Sequence, residues 1–331
     1  MIIQLIRRYL LYPEWLKRLS VVIPLYNEEE NVEELHERLT GVLAALPFEY
    51  EIIYVDDGST DNTPYLLEKI SSEDEHVLAM SLRRNFGQTA AFAAGFDFCR
   101  GDVIVTMDGD LQNDPADIPR LLQHIDGYDL VSGWRKNRKD PFLSRRLPSM
   151  IANWLISKVT GVKLHDYGCS LKAYKREVIK NLNLYGEMHR FIPAVASWYG
   201  VRFTEVETTH HPRKRGKSKY GLSRTVKVIL DLITVKFLQS FSTKPIQFFG
   251  SFGLLSGFIG FLISLYLTIR KIFYGEDIGG RPLLLLGALL IIVGIQLIGM
   301  GLISEMLVRV YHESQKKPIY VIKRILGKKE K

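Results

Sequence analysis

Residues 50–61 read YEIIYVDDGSTD and residues 102–112 read DVIVTMDGDLQ, so each segment joins a β-branched apolar run to a cluster of carboxylates. Such apolar runs are typical of buried strands in a parallel sheet. Because ligands of open α/β sheets bind outside the carboxyl ends of the strands, we expect both clusters to face a ligand. An Asp-x-Asp pair offers oxygen ligands to a hard divalent cation, which can neutralise a diphosphate. The two segments together predict a nucleotide-diphosphate site.

Strand and helix signals alternate from Leu19 to about Tyr128. Strands are predicted over 20–24, 50–55, 77–82 and 103–107, and helices over about 27–46, from 61 onward and over 88–98. Acidic residues in a first turn and Pro64 near the start of a helix support these boundaries. A βαβ series of this kind predicts an α/β domain with a Rossmann-like, mostly parallel sheet and helices on both faces.

Two apolar segments, residues 246–269 and 282–304, contain no charged residue. Each exceeds the about 20 residues that a helix needs to cross a bilayer, so they predict a two-helix transmembrane hairpin within 241–310. Residues 305–331 carry eight Lys or Arg against three acids, whereas the connection 270–281 carries three against two. By the positive-inside rule, we expect the large N-terminal domain and both termini in the cytoplasm, with the spans in a bacterial inner membrane.

The rest of the chain divides by composition. Residues 1–18 mix apolar with basic side chains and predict an interfacial amphipathic segment. The α/β domain is expected to span 19–240, with a second interfacial helix near 143–160. Residues 311–331 are expected to form a basic cytoplasmic tail.

The net charge of +8 does not indicate nucleic acid as a partner, because the basic excess lies beside membrane-related segments. The clusters at 135–139 and at Arg145 and Arg146 precede an apolar helix, an arrangement typical of contact with anionic lipid headgroups. The two cysteines, Cys99 and Cys169, give no disulfide framework, which agrees with a reducing compartment.

Four short segments resemble the family 2 glycosyltransferases with the GT-A fold: VIPLYNEE at 22–29, DDGSTD at 56–61, RNFG at 84–87 and DGDLQ at 108–112. Within that family the chain looks like the polyprenyl-phosphate glycosyltransferases. Residues 166–174, DYGCSLKAY, look closest to the formamido-arabinose transferase branch. The basic loop RGKSK at 215–219 and the two apolar segments extend the resemblance to nearly the whole chain.

The resemblance assigns roles to the strand-end residues. It implies that Asp108, Asp110 and Gln112 hold Mg²⁺ or Mn²⁺ and that Asp110 and Asp166 are catalytic. A tight turn followed by a helix cap is the alternative for 56–59, since Asp, Gly and Ser all favour turns. The nucleotide-sugar-binding residues that it implies are Pro24, Tyr26, Glu28, Asp56, Asp57 and Asp108.

Basic residues are the natural ligands of phosphate groups, Arg through bidentate bonds and Lys as a point charge. Asp166 occupies the position of a family aspartate near the reacting centre. Because a phosphate acceptor is largely deprotonated at neutral pH, we expect Asp166 to orient neighbouring groups rather than act as a base. A loop acid that caps the next helix is the alternative. The predicted phosphate- and acceptor-binding residues are Arg135, Arg145, Arg213, Arg215, Ser218 and Lys219.

The resemblance implies inverting transfer of a sugar from a nucleotide-diphosphate sugar, with a UDP-sugar favoured, to a membrane polyprenyl phosphate such as undecaprenyl phosphate. Two other interpretations stay open: a processive membrane polysaccharide synthase, and a non-catalytic membrane protein that senses a nucleotide sugar. Two spans and the lack of a Gln-x-x-Arg-Trp segment argue against the first. The acidic pair Asp108 and Asp110 argues against the second. Glycines in both spans leave room for a homo-oligomer.

Overall fold

The computed structural model describes residues 12–136, 147–180, 182, 184, 188–197, 199–212, 245–314 and 319–326. The chain divides into two compact units. One contains residues 1–235 together with 318–331, and the other contains residues 236–317. The first unit holds an eight-stranded sheet with its helices, and the second holds two long apolar helices.

The predicted βαβ series is confirmed over the first four strands. The strands are β1 (Arg18–Leu25), β2 (Glu49–Asp56), β3 (Val77–Leu82), β4 (Val103–Thr106), β5 (Leu130–Trp134), β6 (Lys172–Lys175), β7 (Phe203–Glu207) and β8 (Ile322–Leu326). They lie in the order β7-β5-β6-β4-β1-β2-β3-β8. Neighbours β1–β2, β1–β4, β2–β3 and β5–β7 are parallel. The pairs β4–β6, β5–β6 and β3–β8 are antiparallel, so the sheet is mixed.

The helices alternate with these strands. They are α1 (Val32–Leu43), α2 (Thr63–Glu73), α3 (Gln88–Phe98), α4 (Ile118–His124), α5 (Leu147–Thr160), α6 (Arg176–Lys180), α7 (Ile192–Ser197), α8 (Pro245–Tyr274) and α9 (Pro282–Ser314). Short 3₁₀ turns lie at Pro115–Asp117 and Met188–Phe191. The helix predicted over 88–98 is α3.

The core forms where the apolar stripe of a helix covers the apolar face of the sheet. Helix α1 buries Val32, Leu35, Leu39 and Leu43, whose spacing places them on one side of the helix. They belong to the same buried cluster as Ile23 and other side chains of β1 and β2. Each fully buried aliphatic side chain contributes about 1.5–3 kcal/mol to folding. This packing holds the central strands in place, and it thereby sets the positions of the loops at their ends.

Helices α8 and α9 are long and apolar enough to cross a membrane, over Gln247–Tyr274 and Pro282–Ser304. The second segment has the predicted bounds, and the first runs five residues beyond the predicted end at 269. Each helix begins at a proline, whose missing N–H costs nothing in a first turn. Many large apolar side chains on both helices are exposed in the protein, among them Phe258 and Leu285. Surfaces of this kind suit contact with lipid.

Glycines bring the two helices of the hairpin together. A Cβ added to Gly253 would lie 2.7 Å from the carbonyl oxygen of Gly294, and one added to Gly260 would lie 2.6 Å from that of Gly287. Real Cβ atoms do not approach so closely, so only glycine allows this backbone contact. Because these four glycines serve packing inside the hairpin, they do not by themselves argue for assembly between chains.

Part of the predicted basic tail belongs to the eight-stranded sheet. Residues 322–326 form β8, which pairs antiparallel with β3. The strand has two basic residues, Lys323 and Arg324, beside its apolar ones, and its pairing partner is distant in the chain. A strand with two basic residues and a distant pairing partner has no clear local signal in the sequence. The charge pattern therefore predicted only a basic tail.

Helix α5 covers the described part of the helix predicted near 143–160. It exposes Met150 and Trp154 to solvent, and the ammonium group of Lys158 lies 5.0 Å from the centre of the Trp154 ring. Residues spaced by four share one face of a helix, so these three form an exposed stripe. The interfacial role of this helix stays a prediction, for which the exposed Met150 and Trp154 offer apolar contacts and Lys158 a basic one. Residues 1–11 of the predicted N-terminal interfacial segment lie outside the described residues.

Candidate active site

The sheet brings the predicted site loops to one edge. Register pairs Leu25 with Asp56 across β1 and β2, and Val22 with Thr106 across β1 and β4. The loops after these three strands therefore emerge side by side. Strand β6 runs antiparallel to both β4 and β5, with Lys172 beside Thr106. Because of this reversal, the loop before β6, residues 166–171, reaches the same edge as the loops after β4 and β5.

The loops after β1 and β2 are bonded to each other. Asn27 adopts a left-handed φ of 52°. Its amide donates to Oγ of Ser59 at 2.9 Å, and its Oδ1 accepts from the amide of Thr60 at 2.8 Å. The amide of Glu28 donates to Oγ1 of Thr63 at 2.9 Å. These hydrogen bonds join the loop after β1 to the loop after β2, so the two loops form one continuous surface at the predicted nucleotide site.

Three of the predicted nucleotide-sugar residues lie at the carboxyl end of β1, with Pro24 in the strand and Tyr26 and Glu28 in the loop after it. Pro24, Tyr26 and Glu28 are partly exposed. The Glu28 carboxylate accepts from Nδ2 of Asn31 at 2.7 Å. Exposure at the carboxyl end of β1 leaves these side chains within reach of a ligand.

Asp56 and Asp57 are both buried, and both carboxylates are bonded to backbone amides. Asp56 accepts from Ser59 at 2.9 Å, and Asp57 accepts from Phe86 at 2.7 Å and from Gly87 at 2.9 Å. Burial raises the pKa of Asp57, and the two amide bonds oppose that shift. Asp57 thus ties the loop after β2 to the loop after β3.

Glycine is required between these loops. Gly58 has a φ of +70°, and a Cβ there would lie 2.5 Å from the carbonyl carbon of Arg84. An L side chain would be strained in conformation and would collide with the backbone. The DDGS segment is therefore both the predicted turn and a close contact between two site loops.

The Asp108 carboxylate is held by two side chains that its own motif does not contain. Nε2 of Gln88, at the start of α3, donates to its Oδ1 at 2.6 Å, and the Ser170 side chain also bonds to it. Burial, followed by the charge of Asp110, raises the pKa of Asp108 to about 6. Asp110 accepts from the amide of Gln112 at 3.2 Å. The structure thus brings Asp108 and Asp110 together at the end of β4.

The donor set fits a hard divalent cation. Two partly buried carboxylates of like charge destabilise each other, and a cation between them removes that repulsion. Within the described residues no group of three or more His, Cys, Asp or Glu side chains is placed to hold a metal ion. Mg²⁺ is commonly bound by one or two carboxylates, with substrate phosphates and water completing the shell. Asp108 and Asp110 match that requirement.

Asp166 lies 2% exposed against the guanidinium group of Arg135. Nε of Arg135 donates to Oδ2 of Asp166 at 2.7 Å, and Nη2 donates to Oδ1 at 2.9 Å. Burial alone would lower the pKa of Arg135, but the Asp166 carboxylate raises it above its ordinary value. The amide of Asp166 donates in turn to Glu205 at 3.1 Å. Arg135, predicted both as a phosphate-binding residue and as part of a lipid-facing basic cluster, is therefore largely buried and bonded to the loop at 166–171.

Lys172 is a buried cation beneath the loop at 166–171. Its Nζ donates to the backbone carbonyls of Tyr167, at 3.4 Å, and Cys169. Burial lowers its pKa, and the nearby Cys169 and Asp166 oppose that effect. Lys172 thus fixes the loop that carries both Asp166 and Ser170.

The two histidines that precede the basic loop pack against the end of the Asp108 loop. Nε2 of His211 lies 2.9 Å from Oδ2 of Asp114, and its amide donates to the carbonyl of Gln112 at 2.9 Å. His210 forms a β-bridge with Asn113. The chain entering the basic loop is therefore fixed beside the predicted metal motif. The remaining predicted phosphate-binding residues lie outside the described residues: Arg145, Arg213, Arg215, Ser218 and Lys219.

Several site residues have little sequence signal. Gln88 follows the RNFG segment directly, and Ser170 lies inside the DYGCSLKAY segment, so the motifs mark their neighbourhood but not their contacts. Glu205, on β7, accepts from the amides of His165 and Asp166. It lies in no motif, and only the folded sheet brings it to Asp166.

Comparison with known proteins gives close relatives over most of the chain. The model of glycosyl transferase family 2 matches residues 20–182. The chain is 48% identical over 314 residues to dodecaprenyl-phosphate galacturonate synthase of Rhizobium johnstonii, covering 93% of this chain and 92% of that protein. It is 41% identical over 310 residues to undecaprenyl-phosphate 4-deoxy-4-formamido-L-arabinose transferase of Pseudomonas fluorescens, covering 93% and 89%.

Solved structures share the fold. Glucosyl-3-phosphoglycerate synthase of Mycobacterium tuberculosis matches with a TM-score of 0.53 at 20% identity, covering 72% of this chain and 84% of that chain. A crystal structure of that enzyme with Mn²⁺, UDP and glucosyl-3-phosphoglycerate matches with a TM-score of 0.51 at 18% identity, covering 67% and 80%. The predicted GT-A fold is thereby confirmed. With relatives this similar over nearly its whole length, the chain belongs to glycosyl transferase family 2.

Proposed function

We propose that this glycosyltransferase moves a sugar from a nucleotide-diphosphate donor to a polyprenyl phosphate in the membrane. The observation that carries the proposal is the extent of the similarity. Identity of 41–48% to two enzymes named for polyprenyl-phosphate products runs over 93% of the chain and thus includes the apolar hairpin as well as the catalytic sheet. A processive synthase and a non-catalytic sensor have no comparable support.

The donor site is proposed at the loops after β1, β2 and β4. Pro24, Tyr26 and Glu28 are accessible there and are proposed to contact the nucleotide. Asp56 and Asp57, whose carboxylates hold backbone amides, are proposed to shape the pocket. A UDP-sugar is the proposed donor, because the resemblance of 166–174 is closest to the formamido-arabinose branch.

Asp108 and Asp110 are proposed to hold Mg²⁺ or Mn²⁺, with Gln112 as an auxiliary ligand. When bound, such an ion offsets the negative charge that develops on the departing diphosphate. Neighbouring side chains orient the proposed metal ligands. Gln88 and Ser170 fix the orientation of Asp108, so that its carboxylate is held in place before the donor arrives.

The acceptor side is proposed at Arg135 and Asp166. An oxygen of the acceptor phosphate forms a bond to the anomeric carbon, while the bond from that carbon to the diphosphate oxygen breaks with inversion. The second pKa of a phosphomonoester is about 6, so the acceptor needs no general base at neutral pH. Asp166 accepts from both Nε and Nη2 of Arg135, which fixes the plane of the guanidinium group. Asp166 is therefore proposed to aim Arg135 at a phosphate.

The basic loop after His211 is proposed to complete the phosphate contacts. Arg213, Arg215, Ser218 and Lys219 follow the residue whose amide is bonded to Gln112. A cationic loop that starts beside the metal motif can close over a diphosphate and exclude water, which suppresses hydrolysis of the donor. Arg145 is proposed to contact the acceptor phosphate at the membrane surface.

The chain order supports a cytoplasmic catalytic domain on a membrane hairpin. Strands β1–β7 precede the two spans and β8 follows them, yet all eight strands form one sheet. The chain must therefore cross the bilayer an even number of times between β7 and β8. With the basic residues on that side, the positive-inside rule places the sheet in the cytoplasm. The spans are proposed to lie in a bacterial inner membrane.

Transfer of label into lipid tests the proposal. Membranes containing the full chain are incubated with undecaprenyl phosphate, Mn²⁺ or Mg²⁺ and a panel of labelled UDP- and GDP-sugars, and organic-extractable label is measured. We expect label in a mild-acid-labile lipid with one of the UDP-sugars. Label in polymer that resists extraction would instead identify a polysaccharide synthase. Binding of a nucleotide sugar without any transfer would contradict the proposed transferase activity and favour a non-catalytic sensor.

A further inference from the structure

Strand β8 extends its pairing beyond the end of β3. Register pairs Met80 with Ile325 and Leu82 with Ile322. The next bond runs from the amide of Arg83 to the carbonyl of Val321, at 2.9 Å. Arg83 is the first residue after β3, so the returning chain holds the start of the loop that joins β3 to α3.

Tyr320 attaches the same returning segment to α3. Its side chain is buried, and its hydroxyl donates to Oδ2 of Asp97 at 2.7 Å. Asp97 lies in the last turn of α3, the helix that begins at Gln88. The segment at 320–321 therefore contacts both elements that border the loop at 83–87.

That loop and the first residue of α3 carry the supports of two proposed donor-site carboxylates. The amides of Phe86 and Gly87 donate to Asp57, and Gln88 donates to Asp108. A displacement of the loop by a few tenths of an ångström lengthens these bonds together, because all three donors are consecutive in the chain. Contacts that hold this loop in place therefore also hold the proposed donor-site carboxylates in place.

We propose that Tyr320 and the strand after it are positioning elements of the donor site. The segment that follows the membrane hairpin is then a working part of the catalytic sheet, and the donor site is complete only after the hairpin has been made. The donor effect rests on the function proposed above, whereas the loop contacts do not. Tyr320 acts through Asp97, the adjacent Val321 acts through the amide of Arg83, and neither is proposed to touch substrate.

The test uses the full chain in detergent with Tyr320→Phe, which removes one hydroxyl and keeps the ring. Hydrogen exchange is measured at the amides of Arg83, Phe86 and Gly87, because exchange reports local opening without any substrate. A hydrogen bond to a charged group contributes enough to change such opening by about tenfold, and we expect exchange to accelerate by that factor. Arg324→Gln is the matched control, since its pair with Glu68 is exposed and contributes little.

Transfer kinetics supply the second measurement. We expect Tyr320→Phe to raise KM for the donor by about three- to tenfold, and to change kcat and KM for undecaprenyl phosphate by less than about twofold. Deletion of residues 319–331 is expected to produce the same pattern with a larger effect. A double variant with Asp97→Ala is expected to be no worse than Asp97→Ala alone.

Three outcomes would overturn the proposal. Unchanged exchange at Arg83, Phe86 and Gly87 in Tyr320→Phe would show that the segment does not hold the loop. Equal increases in both KM values would indicate a general loss of structure. A deletion variant with wild-type KM for the donor would make the strand dispensable. If no labelled sugar is transferred by any variant, exchange alone decides, so a wrong function is distinguished from a wrong positioning role.

Discussion

Replacing Asp166 by Asn separates an orienting aspartate from a catalytic base. In the wild type both carboxylate oxygens accept from the Arg135 guanidinium, at 2.7 Å and 2.9 Å. The Asn side chain keeps the shape but turns one oxygen into an N–H donor that faces another donor. Breaking a buried ion pair in this way costs about 3–5 kcal/mol. The Arg135 side chain is 12% exposed and can recover some hydration, so we take the lower end of that range.

If the orientation of Arg135 is needed in the transition state, a loss of about 3 kcal/mol corresponds to a fall in kcat of roughly a hundredfold. The pH profile carries the decisive information. With Asp166 as an orienting group, Asp166→Asn keeps an acidic limb near pH 6, because that limb belongs to the acceptor phosphate. The assay is transfer of labelled sugar to undecaprenyl phosphate from pH 5 to pH 9.

A matched set of variants completes this test. Arg135→Gln is expected to show a loss similar to that of Asp166→Asn, and the double variant is expected to be little worse than either, because the two residues act as one unit. Thermal unfolding in detergent checks that the variants fold. Activity of Asp166→Asn that rises steeply with pH, as though hydroxide replaced a missing base, would refute the orienting role.

Three further predictions concern the metal, the hairpin and the topology. Asp110→Asn is expected to lower transfer by about a hundredfold or more without affecting membrane insertion, and excess chelator to abolish wild-type turnover; full activity in either case contradicts a metal at this pair. Gly260→Ala is expected to lower the thermal midpoint of the detergent-solubilised chain, since overpacking costs about 1–3 kcal/mol, while Gly257→Ala, with open space for its Cβ, is expected to be neutral. Asp277→Cys is expected to react with an impermeant thiol reagent from outside and Lys323→Cys only from the cytoplasm, with little background because both native cysteines are buried; the reverse pattern excludes cytoplasmic chemistry.

The first half of the sheet was predictable because its signals are local. The strand predicted over 50–55 is observed as Glu49–Asp56, and the predicted helix over 88–98 is observed with the same bounds. In both, an apolar run is bounded by turn residues within a few positions. The acidic pair Asp108 and Asp110 follows the same logic, since the end of a buried strand fixes where the side chains emerge.

Contacts between distant segments were beyond a single sequence. Arg135 lies in a run of basic residues and looks like a surface cation, yet Asp166 draws it into the protein. The bonds from the loop amides to Asp57 depend on how β2 and β3 align. Strand β8 finds its partner only after the whole hairpin has intervened. In each case the structure is stabilised by a contact between residues that are far apart in the sequence, so a short stretch of sequence does not predict it.

The reversal of β6 places one loop beside both of the proposed substrate sites. In a fully parallel sheet, the loop before β6 would lie at the opposite edge from Asp108. Because β6 runs antiparallel between β4 and β5, residues 166–171 instead lie where both neighbours end. Ser170 then reaches Asp108 on one side, and Asp166 reaches Arg135 on the other. Lys172 donates to the carbonyls of Tyr167 and Cys169, which lie between these two contacts in the loop. Transfer requires that a phosphate and an anomeric carbon meet within contact distance, and the proposed sites at the two ends of this loop are placed to bring them together.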